Sequence, residues 1–200
     1  MRVISGRFKG VALATPKTGT RPTTDRTKEA IFSRLDAWGV LDDARVLDLF
    51  AGTGALGIEA LSRGGRELVA VEASKPAAAL IVKTIAQLKR NRSWTSELAA
   101  LVVVRKAEAY ASGAAAQPFD VIFIDPPYAF ETEACDRLLA DLAANGAAGD
   151  GTVIVLERSA RSERPTAPEG WEITDDRDYG ETAVYYIEHA EDTSNRDMHV

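Results

Sequence analysis

Arg45-Val46-Leu47-Asp48-Leu49-Phe50-Ala51-Gly52-Thr53-Gly54-Ala55-Leu56-Gly57-Ile58-Glu59-Ala60-Leu61-Ser62-Arg63 reads as a short apolar strand, a glycine-rich turn and the start of a helix. Glycines at 52, 54 and 57 stand where the backbone must turn sharply and approach a ligand. Glu67-Leu68-Val69-Ala70-Val71 is a second buried strand, and it ends at Glu72, a carboxylate able to accept both hydroxyls of a ribose. Together these specify an adenosine-type cofactor. The spacing Gly52, Gly54, Gly57 also satisfies the dinucleotide pattern G-x-G-x-x-G, so this half of the chain does not separate a nicotinamide cofactor from a sulfonium one. Asp48 favours the sulfonium: a carboxylate at the strand tip suits an ammonium group and repels a pyrophosphate. The only histidines, His189 and His199, lie in or beside a polar C-terminal tail, so no acid/base for hydride transfer is evident.

Further along, Phe119-Asp120-Val121-Ile122-Phe123-Ile124 is another apolar strand and runs directly into Asp125-Pro126-Pro127-Tyr128. Tandem prolines fix φ near −65° and remove two backbone donors. The Asp125 carboxylate and the Pro126 carbonyl are thereby offered as acceptors for an amino group. Tyr128 adds a π-face on which a flat base can stack, a contact worth about 1–3 kcal/mol when fully engaged. Taken alone, the tetrapeptide is also what an ordinary strand-ending turn looks like.

Asp48-Leu49-Phe50-Ala51-Gly52-Thr53-Gly54 followed by Asp125-Pro126-Pro127-Tyr128 resembles the class I S-adenosylmethionine-dependent amino-methyltransferases. Arg2-Val3-Ile4-Ser5-Gly6-Arg7-Phe8-Lys9-Gly10 and Arg21-Pro22-Thr23-Thr24-Asp25-Arg26 are similar to the bacterial RsmD family, which methylates N2 of a guanine in 16S rRNA, and the likeness runs from residue 1 to about 188. The resemblance implies a Rossmann-like α/β fold: a mostly parallel seven-stranded sheet, helices on both faces, and an N-terminal β-hairpin extension. It implies S-adenosyl-L-methionine as cofactor, held by Asp48, Phe50, Gly52, Thr53, Gly54, Glu72, Ala107 and Asp125. Asp125, Pro126 and Tyr128 would be catalytic, Arg7, Lys9, Arg21 and Arg26 would contact RNA, and no metal is called for. In the 105–108 loop the class often sets an acid against the adenine; here Arg105-Lys106-Ala107-Glu108 favours a backbone contact at Ala107 over a carboxylate contact by Glu108. The implied partner is 16S rRNA or the assembling small subunit, met by a monomer.

Charge is unevenly divided. Residues 1–34 hold Arg2, Arg7, Lys9, Lys17, Arg21, Arg26, Lys28 and Arg34 against Asp25 and Glu29, an excess of six, which leaves −12 on the rest of a chain whose total is −6. This reads as a basic arm for phosphates on an acidic body, with Gly6 and Gly10 bracketing Arg7-Phe8-Lys9 in a turn that presents two cations and an aromatic ring. A merely solvated hairpin is the plainer alternative.

At 200 residues the chain suits one α/β domain with a small appendage. The expected division is 1–23 as hairpin and linker (hairpin 1–15, link 16–23), 24–188 as the methyltransferase domain and 189–200 as a flexible tail. Helices are expected at 24–38, with Ile31, Phe32, Leu35 and Trp38 on one face, and near 55–63, 76–90 and 131–144; strands near 45–50, 67–71, 101–104, 119–124 and 152–156 alternate with them. Trp171-Glu172-Ile173 and Ala183-Val184-Tyr185-Tyr186-Ile187 are expected to pair antiparallel. Lone Cys135 fits a reducing compartment, and no apolar run or leader points to a membrane, so a cytoplasmic protein is expected. Other readings use the same corner: a DNA adenine-N6 or cytosine-N4 methyltransferase, for which the chain leaves little room for target recognition, and a protein-glutamine amide methyltransferase, for which the basic arm has no use. A non-catalytic RNA-binding module would not need Gly52, Gly54, Glu72 and Asp125 together.

Overall fold

The computed structural model describes residues 1–15 and 25–190. The expected link over 16–23, Lys17, Arg21 and the tail beyond 190 lie outside the described residues. The described chain runs α1 (Asp25–Trp38), β1 (Arg45–Leu49), α2 (Ala55–Ser62), β2 (Glu67–Glu72), α3 (Lys75–Lys89), β3 (Ala99–Val104), α4 (Ala107–Ala111), β4 (Phe119–Ile124), α5 (Thr132–Ala144), β5 (Ala148–Ser159), β6 (Trp171–Tyr179) and β7 (Thr182–His189). The seven strands form one sheet in the order β3-β2-β1-β4-β5-β7-β6. β1 to β5 pair in parallel, whereas β7 pairs antiparallel with both β5 and β6. Strand order reverses between β1 and β4, and at such a point the loops leaving the carboxyl ends diverge and open a crevice.

Side chains alternate across the central strands and build two cores. Val46, Val121, Phe123, Val153, Val155 and Tyr186 face one side and pack with Ile31, Phe32 and Leu35 of α1 and Ile58 and Leu61 of α2. On the other side, Leu47, Leu49, Ile122, Ile124, Ile154 and Leu156 pack against Cys135, Leu138, Leu139 and Leu142 of α5. Burial raises the Cys135 thiol to about 11, so it stays protonated at neutral pH and packs as a small apolar group.

The N-terminal segment forms the expected hairpin, with an antiparallel bridge from Arg2 to Ala12 and backbone hydrogen bonds from Val3 N–H to the Val11 carbonyl at 2.9 Å, Gly10 N–H to the Val3 carbonyl at 2.9 Å and Leu13 N–H to the Met1 carbonyl at 3.1 Å. It is packed onto the body, because Val3, Phe8 and Leu13 enter the first core. Phe8 is only 1 % exposed and stacks on Trp94 with ring centroids 6.0 Å apart, so the turn does not present an aromatic ring to a partner. Backbone carries the turn close to the end of α2: Arg7 N–H donates to the Ser62 carbonyl at 2.8 Å and Phe8 N–H to Ser62 Oγ at 2.9 Å. A Cβ on Gly6 would fall 2.0 Å from the Ser62 carbonyl oxygen, so only glycine passes there.

Lys28 and Arg34 also leave the proposed cationic face. Lys28 is wholly buried, 3.4 Å from Glu59 and donating to the Arg2 carbonyl at 3.2 Å. Arg34 pairs with Asp175 and lies over the Trp38 and Tyr186 rings. Glu59, itself buried, accepts N–H groups from Ile4 at 2.9 Å and Ser5 at 3.0 Å and from Arg63 Nε at 2.9 Å. One carboxylate thus joins the N-terminal segment, α1 and α2. Among the described residues no helix is long and apolar enough to cross a membrane.

Candidate active site

The crevice is built from the loops that follow β1, β2 and β4. After β1, Phe50 takes the left-handed conformation at φ 56°, and Gly52 and Gly54 follow at φ 58° and 75°. This tight reversal ends with Gly54 as the N-cap of α2. Glu72 locks it from below: Oε2 accepts the Gly52 N–H at 2.8 Å and Oε1 accepts the Ser74 N–H at 2.8 Å. Each oxygen retains a lone-pair direction for an outside donor. Gly57 brings α2 against β1, where a Cβ would lie 2.5 Å from Leu68 Cδ1 and 3.0 Å from Asp48 Cβ, and its N–H donates to Asp48 Oδ2 at 2.9 Å.

Asp48 is 2 % exposed, within β1 rather than on the open surface. Burial, with the Asp125 and Glu72 charges adding to it, raises its carboxyl to about 8, against the pull of the Gly57 N–H. Three carboxyl groups therefore converge on the switch point, with the charges of Asp125 and Glu72 acting on Asp48. Such a site disfavours a pyrophosphate and suits a cation with ribose hydroxyls, so the donor set fits S-adenosylmethionine.

Asp125 leaves β4 half-buried, Pro126 is buried, and Tyr128 is 58 % exposed. The turn closes through Phe130 N–H to the Pro127 carbonyl at 2.9 Å. The Phe130 ring meets Phe50 edge-on at 5.1 Å, so the loops after β1 and β4 are packed together. The sequence reading did not single out Arg158. At the end of β5 and 6 % exposed, it donates to the Phe130 carbonyl at 2.8 Å and to Thr132 Oγ1 at 3.3 Å, pinning the far side of the same loop. An arginine closing an apolar strand, Val153-Ile154-Val155-Leu156-Glu157-Arg158, was the available signal.

Of the residues singled out in the sequence, Asp48, Phe50, Gly52, Gly54, Glu72 and Asp125 come together through these contacts. Thr53 is half-buried between the two glycines, and Ala107 is buried at the start of α4, while Glu108 is exposed. Arg26 is exposed on the first turn of α1. Arg7 and Lys9 do not join the crevice: their turn sits at Ser62, the last residue of α2, whereas Gly54 caps its first, a separation of about 12 Å along the helix.

This strand order, glycine loop and acceptor corner define a class I methyltransferase. Residues 1–188 match the family model described as conserved hypothetical protein 95. The chain is 32% identical to ribosomal RNA small subunit methyltransferase D of Escherichia coli K12 over 199 residues, 98% of this chain and 94% of that one. It superposes on the Escherichia coli protein yhhF, described as a candidate methyltransferase, with a TM-score of 0.81 at 32% identity over 94% of this chain and 97% of that one. Magnesium protoporphyrin IX methyltransferase from Synechocystis, solved with bound S-adenosylmethionine, shares the fold at TM-score 0.60 and 12% identity over 84% of this chain and 86% of that one. The chain belongs to the RsmD family of methyltransferases.

Proposed function

We propose that this enzyme transfers a methyl group from S-adenosylmethionine to the exocyclic N2 amine of a guanine in 16S rRNA, acting as a cytoplasmic monomer on the RNA or the assembling small subunit. The observation that carries this reading is the meeting of two loops at the switch point: the Gly52 loop held by Glu72, and the Asp125-Pro126-Pro127-Tyr128 loop joined to it by Phe50 and Phe130. The named function of the relatives, small-subunit rRNA methylation, supplies the substrate class. Residues 1–23 are assigned to RNA contact, 24–188 to catalysis and 189–200 to a tail.

S-adenosylmethionine supplies an electrophilic methyl group. Glu72 would hold the ribose hydroxyls on the lone pairs its backbone donors leave, Gly52, Thr53 and Gly54 would offer main chain, Phe50 its ring and Ala107 a contact for the adenine. A cationic amine beside Asp48 would favour its charged form, the proton being released to solvent. The guanine N2 lone pair is delocalised into the ring and is a poor nucleophile. Acceptance of its N–H bonds by the Asp125 carboxylate and the Pro126 carbonyl favours a tetrahedral nitrogen and stabilises the positive charge that develops there. Tyr128, largely exposed, stacks the base, and transfer is governed by positioning. The departing proton goes to Asp125 or to water. A paired guanine hides this edge, so the target is unpaired or flipped. Arg7, Lys9, Arg21 and Arg26 hold phosphates.

Mapping modified nucleosides in small-subunit rRNA from cells lacking the gene tests the reading. Loss of one N2-methylguanosine, restored by the wild-type gene and not by an Asp125→Ala copy, is expected. Unchanged rRNA modification would refute it.

A further inference from the structure

The RNA reading leaves a question of where the strand lies, since the Arg7–Lys9 turn is a helix length from the crevice. α3 spans that gap. Ser74, whose N–H is bound by Glu72, caps its start, and after its end the chain turns at Asn91 into Trp94, which stacks on Phe8. Its 15 residues cover about 22 Å. The N-terminal segment lies along the same helix, with Ala14 N–H donating to Thr84 Oγ1 at 3.1 Å and Lys89 Nζ placed 5.9 Å from the Trp94 ring centre.

Between residues 75 and 96 there are five cations, Lys75, Lys83, Lys89, Arg90 and Arg92, and no acid, in a chain of net charge −6. All five are exposed, and none makes an ion pair among the described residues. Ala78, Ile81, Ile85 and Leu88 point into the core, while Lys75, Lys83 and Lys89 stand at exposed positions of α3 and Arg90 and Arg92 follow in the turn after it. The net charge of −12 beyond residue 34 averages over this basic run.

We propose that the outer face of α3, the turn after it and the Arg7–Lys9 tip form one phosphate-docking surface for the RNA that flanks the target nucleotide, leading it from the crevice down the side of the sheet. The inference rests on the RNA reading above. An RNA backbone matches a run of exposed cations that form no ion pair among the described residues and have no acid among them in sequence; the core of a protein interface is poor in lysine and rich in aromatic rings, and the large exposed apolar side chain on α3 is Val82.

The test is the variant Lys89→Gln/Arg90→Gln/Arg92→Gln, with Lys83→Gln as a second probe higher on the helix. These exposed positions lie outside the catalytic site. RNA affinity for a small-subunit rRNA fragment is measured over a potassium chloride series, beside kcat, KM for RNA and S-adenosylhomocysteine affinity. Each lost phosphate contact with a single strand lowers the salt slope by about 0.7, so the triple variant is expected to lose about 2 from the slope and to raise KM at least about tenfold. Values of kcat at saturating RNA and of cofactor affinity should hold, and Lys83→Gln should shift the slope in the same direction by less. An unchanged slope and KM in the triple variant would overturn this surface while leaving the RNA reading intact. Normal affinity for naked RNA with loss only on protein-bearing particles would also overturn it and assign the face to a protein. A wild-type enzyme that methylates no RNA would remove the reading beneath it, before any variant is compared.

Discussion

Replacing Gly57 with alanine separates two opposed effects whose sizes the structure sets. At an unencumbered helix position, glycine to alanine is worth about 1 kcal/mol in favour of the folded state. Here the added Cβ falls 2.5 Å from Leu68 Cδ1 and 3.0 Å from both Asp48 Cβ and Oδ2. The leucine methyl can rotate away, but the Asp48 Cβ is fixed on β1. Helix α2 must therefore tilt off the sheet, lengthening the 2.9 Å bond from Gly57 N–H to Asp48 and carrying Gly54 and the Gly52 loop with it. Overpacking of this kind costs about 1–3 kcal/mol, enough to reverse the propensity gain. We expect net destabilisation of up to about 2 kcal/mol, read by urea unfolding as a lower midpoint at constant m, and at least about tenfold weaker S-adenosylhomocysteine binding by calorimetry. A variant as stable as wild type or more so, with unaltered affinity, would refute the claim that this glycine exists to bring helix and strand together.

Other outcomes follow from buried charge and from the loop supports. The Asp48 carboxyl, raised from 3.8 to about 8, keeps a proton that the unfolded chain has lost, so its contribution is complete below about pH 4 and declines as pH rises towards 8. Asp48→Asn should remove that part of the decline, and identical pH slopes in urea unfolding at pH 5 and 8 would contradict it. Glu59→Ala strands the buried Lys28 ammonium and the Ile4 and Ser5 N–H groups, and should cost about 3–5 kcal/mol; a loss below about 1 kcal/mol would show the network is dispensable. Arg158→Ala releases the Phe130 carbonyl and Thr132 hydroxyl and should lower kcat while cofactor affinity holds, with Arg158→Lys recovering part of the rate; a normal rate in the alanine variant would free the loop from Arg158.

The central strands were legible because each is a run of apolar residues bounded by a turn, and both functional loops follow such runs directly. Elements without that signal were missed or shortened. α4 buries only Ala107 and Ala111. β5 starts at Ala148, where Gly149-Asp150-Gly151 hides a strand that is held by pairing with Phe119 across a register shift. β6 carries Asp175, Asp176 and Asp178 because it is an edge strand, largely solvated, yet it extends to Tyr179 through its partner β7. Phe8 and Lys28 were misjudged as surface groups for one reason: their partners, Trp94 and Glu59, are distant in sequence, and local composition does not report a long-range neighbour. Arg158 escaped notice likewise, since its role lies in the carbonyl it reaches.

The most direct test of the account is single-turnover methyl transfer by wild type and Asp125→Ala, with the nucleoside product identified and S-adenosylhomocysteine affinity measured on both proteins. The account predicts N2-methylguanosine from wild type, a rate lower by at least about 10²-fold in the variant, and cofactor affinity within a few-fold. A variant that transfers methyl at near the wild-type rate, or a wild-type product methylated on another base, would contradict it.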